Sequence, residues 1–174
     1  MKVPKKWFVL WFTGLPCAGK TTMADAVANK LREIWYTNIQ RLDGDEVRRN
    51  LCSDLWFSRE DRSKNLERVT YVAKLLSENW VWVIASFVSP YEEDRQKIKR
   101  TVTNYIEVFV DTPLAICESR DSKGMYIKAR AWIIKEFTGI SDPYEIPTDA
   151  EINLKWDNID DKVKNILDHL KNYL

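Results

Sequence analysis

Residues 14–21 read Gly-Leu-Pro-Cys-Ala-Gly-Lys-Thr, one residue after the apolar run WFVLWF at 7–12 and leading into a segment of helical period. This is the pattern G-x-x-x-x-G-K-[S/T] between a strand and a helix. In such a loop the backbone N–H groups converge on phosphate oxygens, and the helix that follows adds the positive end of its dipole. We therefore predict a nucleoside triphosphate site in which Lys20 contacts the β- and γ-phosphates and Thr21 holds Mg²⁺.

Outward from this loop, short apolar runs alternate with longer segments of helical period. We predict strands at 7–12, 38–43, 81–87, 105–110 and 152–156. We predict helices at about 20–34, 45–52, 59–79, 91–103, 113–120, 125–136 and 159–173. This alternation resembles the α/β fold of P-loop nucleoside-triphosphate hydrolases, with a mostly parallel five-stranded sheet and helices on both faces. A chain of this length predicts one domain over residues 1–174, with ligands at the carboxyl ends of the strands.

Two of the predicted helices begin with capping signals. Ser58, with Asp61 three residues later, resembles a capping box. The pair Thr112-Pro113 offers a hydroxyl at the N-cap and a proline at the first helical position. We therefore expect Ser58 to cap the helix at 59–79 and Thr112 to cap the helix at 113–120.

Composition and charge restrict the class of partner. The 27 basic and 26 acidic residues give a formal net charge of +1, so no overall field attracts nucleic acid or an anionic membrane. The N-terminal apolar run is brief and reads as a first strand rather than a signal peptide or a membrane span. The three cysteines have unrelated spacings and fit a reducing cytoplasm. The single histidine, His169, lies on the last predicted helix, which argues against histidine-based catalysis.

The loops after the second and third strands narrow the class of reaction. The third strand, VWVIASF, ends without the aspartate that motor proteins and GTPases use, and the only Asn-Lys pair lies inside the first helix. A small-molecule kinase remains, with an acceptor site built from LDGDEVRRN and SFVSPYEEDR. In the first of these loops, Asp43 and Asp45 are well placed to orient Mg²⁺ or an attacking hydroxyl. Aspartates that only form a turn beside Gly44 are the alternative.

Ordered motifs from about residue 7 to 156 resemble adenylyl-sulfate kinases, which phosphorylate the 3′-hydroxyl of adenosine 5′-phosphosulfate (APS) with MgATP. The motifs are LDGDEVR, DLWFSREDRSKN, SFVSPY, FVDTPLAICESRDSKGMY, KARA and FTGISDPYE. The resemblance implies a cytoplasmic enzyme of sulfate assimilation that uses ATP and Mg²⁺. It also implies a homodimer, a functional link to ATP sulfurylase, and neither nucleic acid nor membrane as a partner.

The resemblance also implies the site residues. It gives the ATP contacts to Gly14, Leu15, Pro16, Cys17, Ala18, Gly19, Lys20, Thr21, Thr22 and Arg120. It gives the APS contacts to Asp43, Asp45, Arg48, Phe57, Arg62, Asn65, Val88, Ser89, Lys123 and Phe137. Two aromatic rings can sandwich an adenine, while arginine and asparagine donate to phosphosulfate and ribose. Residues 121–140, called the lid below, resemble a mobile lid that excludes water, although an amphipathic surface helix would give a similar pattern.

In this family, the serine at the position of Ser89 is often assigned as a phosphoserine intermediate. No base is obvious beside it, and phosphoryl transfer depends mostly on positioning and charge stabilisation. We therefore expect direct in-line transfer with Lys20, Asp45 and Ser89 as catalytic residues. Lys20 and Mg²⁺ would stabilise charge, Asp45 would orient or deprotonate the 3′-hydroxyl, and Thr21 with Asp45 would hold the metal. A different acceptor, or a binding module without turnover, remains an alternative.

Glycine is scarce in this chain and tryptophan is abundant, with 5 Gly against 8 Trp. Trp35 and Trp80 stand between a helix and a strand, where a left-handed glycine or asparagine is usual. In the family pattern glycine stands at both positions, and also at those of Trp56, Trp132 and Cys17. We hypothesise late or engineered substitutions, each left-handed tryptophan costing on the order of 1–2 kcal/mol. A shifted helix end with Asn79 in the left-handed slot is the alternative.

Overall fold

The sheet is seen in a computed structural model that describes residues 6–155, 158–171 and 173. Its strands are β1 (Val9–Thr13), β2 (Ile39–Asp43), β3 (Trp82–Ser86), β4 (Tyr105–Asp111) and β5 (Ile152–Lys155). They lie in the order β2-β3-β1-β4-β5, and all four pairings are parallel. The predicted α/β fold is confirmed. Trp156, which we expected to end the last strand, lies outside the described residues.

Helices cover both faces of the sheet. They are α1 (Lys20–Glu33), α2 (Gly44–Asn50), α3 (Arg59–Glu78), α4 (Glu92–Thr101), α5 (Leu114–Ser119), α6 (Met125–Arg130) and α7 (Ile159–Leu170). Helices α1 and α7 pack on one face, and α3 and α4 pack on the other. Of the helices described, none has both the length and the hydrophobicity that crossing a membrane requires.

Strand β1 lies at the centre of the sheet and is buried on both sides, as its uninterrupted apolar sequence predicts. Leu10 and Phe12 belong to the core beneath α1 and α7. Val9 and Trp11 belong to the core beneath α3 and α4. Because all the strands are parallel, the loops that follow β1, β2, β3 and β4 meet at one edge of the sheet.

One of the two predicted helix caps is confirmed and the other is wrong. Oγ of Ser58 accepts a hydrogen bond from the N–H of Asp61 at 3.2 Å, at the start of α3. Thr112 does not cap α5, because its hydroxyl donates to the carbonyl oxygen of Ala18 at 2.9 Å. Pro113 is the residue before the helix, and α5 begins at Leu114 without a side-chain cap. Thr112 therefore ties the loop after β4 to the phosphate loop, residues 14–21.

The left-handed conformation predicted for Trp35 and Trp80 is confirmed, with φ of 76° and 69°. Each follows the C-cap residue of a helix, and paired backbone hydrogen bonds close α1 and α3 there in the Schellman arrangement. Asn79 has φ of −102°, so the shifted helix end is wrong. Cys17 is also left-handed, at φ 61°, whereas Trp56 is not among the positive-φ residues.

The lid contains less helix than the sequence pattern predicts. Helix α6 ends at Arg130 rather than near residue 136. Trp132 has φ of 59°, and its N–H donates to the carbonyl of Ala129 while that of Ile133 donates to Lys128, which closes the helix. A left-handed residue at this position ends an α-helix, so the helix stops about six residues, or nearly two turns, before the predicted limit. The terminal helix α7 likewise ends at Leu170, before the predicted limit at 173.

Candidate active site

The phosphate loop joins the carboxyl end of β1 to α1, and Lys20 is the first residue of that helix. Lys20 is 8% exposed, and its Nζ donates to the carbonyl oxygens of Gly14 at 3.0 Å and Leu15 at 2.7 Å. Burial lowers the pKa of Lys20 to about 8. Gly14 is required for space, because a Cβ there would lie 2.8 Å from the carbonyl oxygen of Val110. The loop therefore holds a buried amine among backbone oxygens.

Asp43, the last residue of β2, joins the phosphate loop to the neighbouring strand. The hydroxyls of Thr21 and Ser86 donate to its Oδ2 at 2.8 and 2.9 Å, and the N–H of Asp45 donates to Oδ1 at 3.0 Å. Burial alone would raise the pKa of Asp43, but these hydrogen bonds outweigh it and lower the pKa below its ordinary value. The structure thus places Asp43, not Asp45, against Thr21. Ser86 was not among the predicted site residues. The signal that could have found it is a polar residue at the end of an otherwise apolar strand.

A cavity of about 420 Å³ lies beside the phosphate loop, between the loops after β2 and β3 and residues 121–138. Lys20 and Thr21 line it together with Pro16 and Cys17. So do all the residues expected to contact APS: Asp43, Asp45, Arg48, Phe57, Arg62, Asn65, Val88, Ser89, Lys123 and Phe137. The fold therefore brings side chains from distant parts of the sequence into one wall.

The other residues expected to contact ATP lie in or next to the phosphate loop rather than in the cavity wall. Gly14, Leu15, Ala18, Gly19 and Thr22 do not line the cavity. Arg120 follows α5 and lies close to the phosphate loop, since a Cβ at Gly19 would be 3.6 Å from its Nη1. The guanidinium therefore stands beside the start of α1.

Two phenylalanines come to the cavity from different elements. Phe137, at the end of the lid, is buried and packs edge-on against Tyr126, with ring centroids 4.9 Å apart. Phe57, before α3, is half exposed, and the guanidinium carbon of Arg48 lies 4.3 Å from its ring centroid. One ring is thus held by the core, while the other is open to stacking.

Arg62 and Asn65 lie on the same side of α3 and both face the cavity. Arg62 donates to the carbonyl of Phe57 at 2.7 Å, to that of Glu136 at 2.5 Å and to the hydroxyl of Thr138 at 2.8 Å. Asn65 is 4% exposed, and its Nδ2 has no hydrogen-bond partner among the described residues. A buried amide donor without a partner is costly, and an acceptor on a ligand would satisfy it.

Ser89 is 2% exposed and left-handed, with φ of 44°. Its Oγ accepts a hydrogen bond from the indole N–H of Trp11 at 2.9 Å, and its carbonyl accepts one from Arg95 at 2.8 Å. Within the described residues, neither a carboxylate nor an imidazole is hydrogen-bonded to this hydroxyl. Sequence reasoning missed Trp11, because a tryptophan in an apolar strand carries no sign of a polar contact.

The comparisons with known proteins agree with this arrangement. A family model described as adenylylsulphate kinase matches residues 6–155. The chain belongs to the adenylylsulphate kinase family. A protein of Pseudomonas aeruginosa, named a probable adenylyl-sulfate kinase, is 60% identical over 85% of this chain and 69% of its own length. The adenylyl-sulfate kinase of Halothermothrix orenii is 46% identical over 96% of this chain and 91% of its own.

A solved structure gives the same result. The APS kinase of Mycobacterium tuberculosis, solved in complex with AMPPNP and APS, is 40% identical and superposes with a TM-score of 0.91. The match covers 97% of this chain and 99% of that one. Family membership confirms the resemblance found in the sequence, and the protein is an ATP-dependent kinase with an alcohol acceptor.

Proposed function

We propose that the protein transfers the γ-phosphate of ATP directly to the 3′-hydroxyl of APS, within a single kinase domain closed by the lid. One observation carries this proposal: a single cavity is lined by Lys20 and Thr21 of the phosphate loop and by every residue expected to contact APS. Direct transfer needs donor and acceptor side by side in this way, because the enzyme contributes positioning and charge stabilisation.

The cavity wall has the chemistry to hold APS. Phe57 and Phe137 offer two aromatic faces for an adenine ring. Arg48 and Arg62 supply cationic donors for the phosphosulfate, and the unpartnered amide of Asn65 supplies a further donor. Since the net charge of the whole chain is only +1, these local cations must supply the attraction for a dianion.

Lys20 and Asp45 have separate roles in the transfer. Lys20 exchanges its bonds to the carbonyls of Gly14 and Leu15 for bonds to the β- and γ-phosphates, and so stabilises the transferring group. Asp45 orients or deprotonates the 3′-hydroxyl. Its carboxylate pairs with Lys123 in this structure, which brings a lid cation to the acceptor side of the cavity.

The residues present fit Mg²⁺, which neutralises charge on the β- and γ-phosphates when it is bound. Thr21 and Asp43 provide adjacent oxygen donors of the kind that Mg²⁺ prefers. Asp45, the other residue predicted to hold the metal, is paired with Lys123 in this structure. In the part of the chain described, no three His, Cys, Asp or Glu side chains converge, which suits an ion held mainly by phosphates and water.

The surroundings of Ser89 support direct transfer over a phosphoserine intermediate. A serine nucleophile needs a base to accept its proton. The one hydrogen bond to Oγ within the described residues comes from Trp11, and an indole N–H can only donate. Ser89 therefore acts as a wall residue whose own hydroxyl proton is free to face the acceptor.

Three proposals concern the cellular setting. All three cysteines are free thiols in this structure, which supports a reducing cytoplasm. The substrate links the protein to ATP sulfurylase, the class of enzyme that supplies APS, and hence to sulfate assimilation. We also propose a homodimer, which the native mass in solution would test.

Coupled ADP release tests the function. With ATP and Mg²⁺ present, ADP should form rapidly with APS and much more slowly with no acceptor, adenosine, AMP or gluconate. The product should carry its new phosphate on the 3′-oxygen, which ³¹P NMR can assign. Equal rates with APS and with no acceptor would contradict the proposal that APS is phosphorylated. Faster turnover of another alcohol would identify that alcohol as the substrate.

A further inference from the structure

Arg95, on α4, does not line the cavity, and its side chain is fully buried. Nη1 donates to the carbonyl oxygen of Ser89 at 2.8 Å, and Nη2 donates to that of Glu145 at 2.6 Å. Nη2 also pairs with the carboxylate of Glu92. On the opposite side, Nε lies 3.2 Å from Oε1 of the buried Glu107 on β4. One guanidinium is therefore bonded to three separate points of the chain and lies close to a fourth, although Nε and Oε1 of Glu107 form no hydrogen bond.

The segment that Arg95 reaches, residues 141–145, is called the return segment because it leads away from the lid. It is also bonded to the residues that precede and begin α4. The N–H of Glu145 donates to the carbonyl of Pro90 at 2.8 Å, and its Oε2 accepts from the N–H of Glu92 at 2.6 Å. The hydroxyl of Tyr91 donates to Oδ2 of Asp142 at 2.8 Å. These bonds fasten the return segment to the loop that contains Ser89.

The return segment in turn supports Phe137. The N–H groups of Ser141 and Asp142 both donate to the carbonyl oxygen of Phe137 at 3.1 Å, and the Ser141 hydroxyl accepts from the N–H of Phe137 at 3.0 Å. Thr138 forms an isolated parallel bridge with Asp142. The position of the Phe137 ring therefore depends on the return segment, which Arg95 holds.

We propose that Arg95 is a positioning residue for the acceptor: it fixes the spacing between Ser89 and the segment that supports Phe137, and both Ser89 and Phe137 line the cavity. The proposal rests on the proposed function. An arginine suits this role because its planar fork can donate to two carbonyls in fixed directions, whereas a lysine is a point charge. Glu92 balances the buried charge, and Glu107 lies beside Nε.

The ATP side of the cavity is held by different contacts. The end of β1 does contact the return segment, since the hydroxyl of Thr13 lies 2.9 Å from that of Tyr144. The phosphate loop itself is held elsewhere: Thr21 donates to Asp43 at 2.8 Å, and Thr112 donates to the carbonyl of Ala18 at 2.9 Å. Among the residues that the structure describes, Lys20 bonds only within the phosphate loop. Loss of the Arg95 hydrogen bonds should therefore weaken the binding of APS and leave the binding of the nucleoside triphosphate unchanged. A general loss of stability would not produce this selectivity.

The substitution Arg95→Lys tests this, since it retains the positive charge opposite Glu107 and removes the fork. We expect kcat/KM for APS to fall more than fivefold, mainly through KM, while the Kd for AMPPNP changes less than twofold. Tyr91→Phe, which removes only the hydroxyl bonded to Asp142, should shift KM for APS in the same direction by a smaller factor. Assays are run well below the melting temperature of each variant.

Arg68→Lys is the matched control. Arg68, on α3, makes a similar fork with the carboxylate of Asp54 and the carbonyl of Leu51, but it is partly exposed and does not line the cavity. Its kinetics should equal those of the parent. A smaller than fivefold effect in Arg95→Lys, or a parallel loss of AMPPNP affinity, would overturn the proposal. If Arg95→Lys does not fold, an unchanged KM in Tyr91→Phe overturns it, whereas a parent without APS-dependent turnover refutes the proposed function instead.

Discussion

Nζ of Lys123 lies 2.7 Å from Oδ2 of Asp45, so the start of the lid is tied to the first turn of α2. Both side chains are mostly exposed, at 70% and 72%, and such surface pairs contribute little to folding stability. The hydrogen bond that Lys123 donates to the carboxylate of Asp45 raises the pKa of Lys123, so the lid residue stays charged at neutral pH. The contact therefore matters for the cavity entrance rather than for the fold.

The variant Lys123→Met should weaken the acceptor side and leave stability unchanged. We expect KM for APS to rise severalfold and ATP hydrolysis without APS to increase relative to transfer, because the lid no longer closes against Asp45. The melting temperature should move by less than about 2 °C, since an exposed pair is worth under about 1 kcal/mol. Lys128→Met, on the exposed face of α6, is the control. Unchanged KM and hydrolysis in Lys123→Met would contradict this role.

Lys20 should give ATP binding a pH dependence. In the ligand-free protein its pKa is about 8, and phosphate binding requires the ammonium form. The affinity for ATP should therefore be full below pH 8 and fall by about tenfold per pH unit above it, since each bound ATP must then recruit a proton. Lys20→Ala should stay folded, lose transfer and show a flat pH profile. Titration calorimetry from pH 7 to 10 measures this, and normal turnover by folded Lys20→Ala would refute the phosphate site.

Removing the hydroxyl of Ser89 should reduce the folding stability markedly, while its effect on the rate of 3′-phosphorylation should be smaller. Ser89→Ala leaves the buried indole N–H of Trp11 without its acceptor, at a cost of about 1–3 kcal/mol. Measurable 3′-phosphorylation should remain, and labelled ATP without APS should leave no stable label on the parent protein. Stoichiometric phosphoserine that passes into product on addition of APS would show instead that Ser89 is the intermediate.

Glu107 should make folding stability depend on pH in the neutral range. Burial raises its pKa from 4.5 to about 7; Arg95 opposes this shift, and nearby acids add to it: Glu92, Glu151 and Asp149. The folded protein thus retains this proton up to about pH 7, while the unfolded chain loses it near pH 4.5. Stability should fall across that window by on the order of 3 kcal/mol and level off above pH 7.

The variant Glu107→Gln has no proton to lose and should lack this fall. Urea unfolding at pH 5 and pH 8 gives the two free energies of unfolding for each protein. The exposed Glu93 on the same helix as Arg95 provides the control Glu93→Gln, which should retain the fall of the parent. If the free energy of unfolding of Glu107→Gln depends on pH as that of the parent does, another group causes the effect.

Trp35 offers the cleanest measure of the cost of a left-handed tryptophan. It is 71% exposed, and its φ of 76° costs a residue with a Cβ on the order of 1–2 kcal/mol. Trp35→Gly should therefore raise the melting temperature by about 2–4 °C per kcal/mol gained. Trp35→Ala removes the indole but keeps the Cβ, so it should gain much less. Equal melting temperatures for the two variants would show that backbone strain is not the cause.

Trp80 has the same conformation but a different environment, because its ring stacks on Trp7 with centroids 6.3 Å apart. The gain in Trp80→Gly should accordingly be smaller than in Trp35→Gly. Trp132, which lies in the lid, is left-handed too and should gain stability from the same change. Trp56 is not left-handed, so a stability gain from Trp56→Gly would not be explained by strain.

The sequence by itself determined the features that depend on neighbouring residues. The phosphate loop, the alternation of strands and helices, the cap at Ser58 and the left-handed slots at Trp35 and Trp80 all follow from local backbone geometry. Each can be read from a window of a few residues, because periodicity, Cβ sterics and short-range hydrogen bonds act over that distance. The motif resemblance extended this reading to the residues that line the cavity.

Only the tertiary structure decided which of these residues touch. Asp43 rather than Asp45 contacts Thr21, Trp11 bonds Ser89 across 78 residues, and Arg95 joins the loop after β3 to the return segment. Side chains of ordinary apolar or charged type make these contacts, so their local sequence gives no sign of them. They arise because a parallel sheet brings the carboxyl ends of distant strands to one edge, where the partner of each side chain is set by the packing of the whole fold.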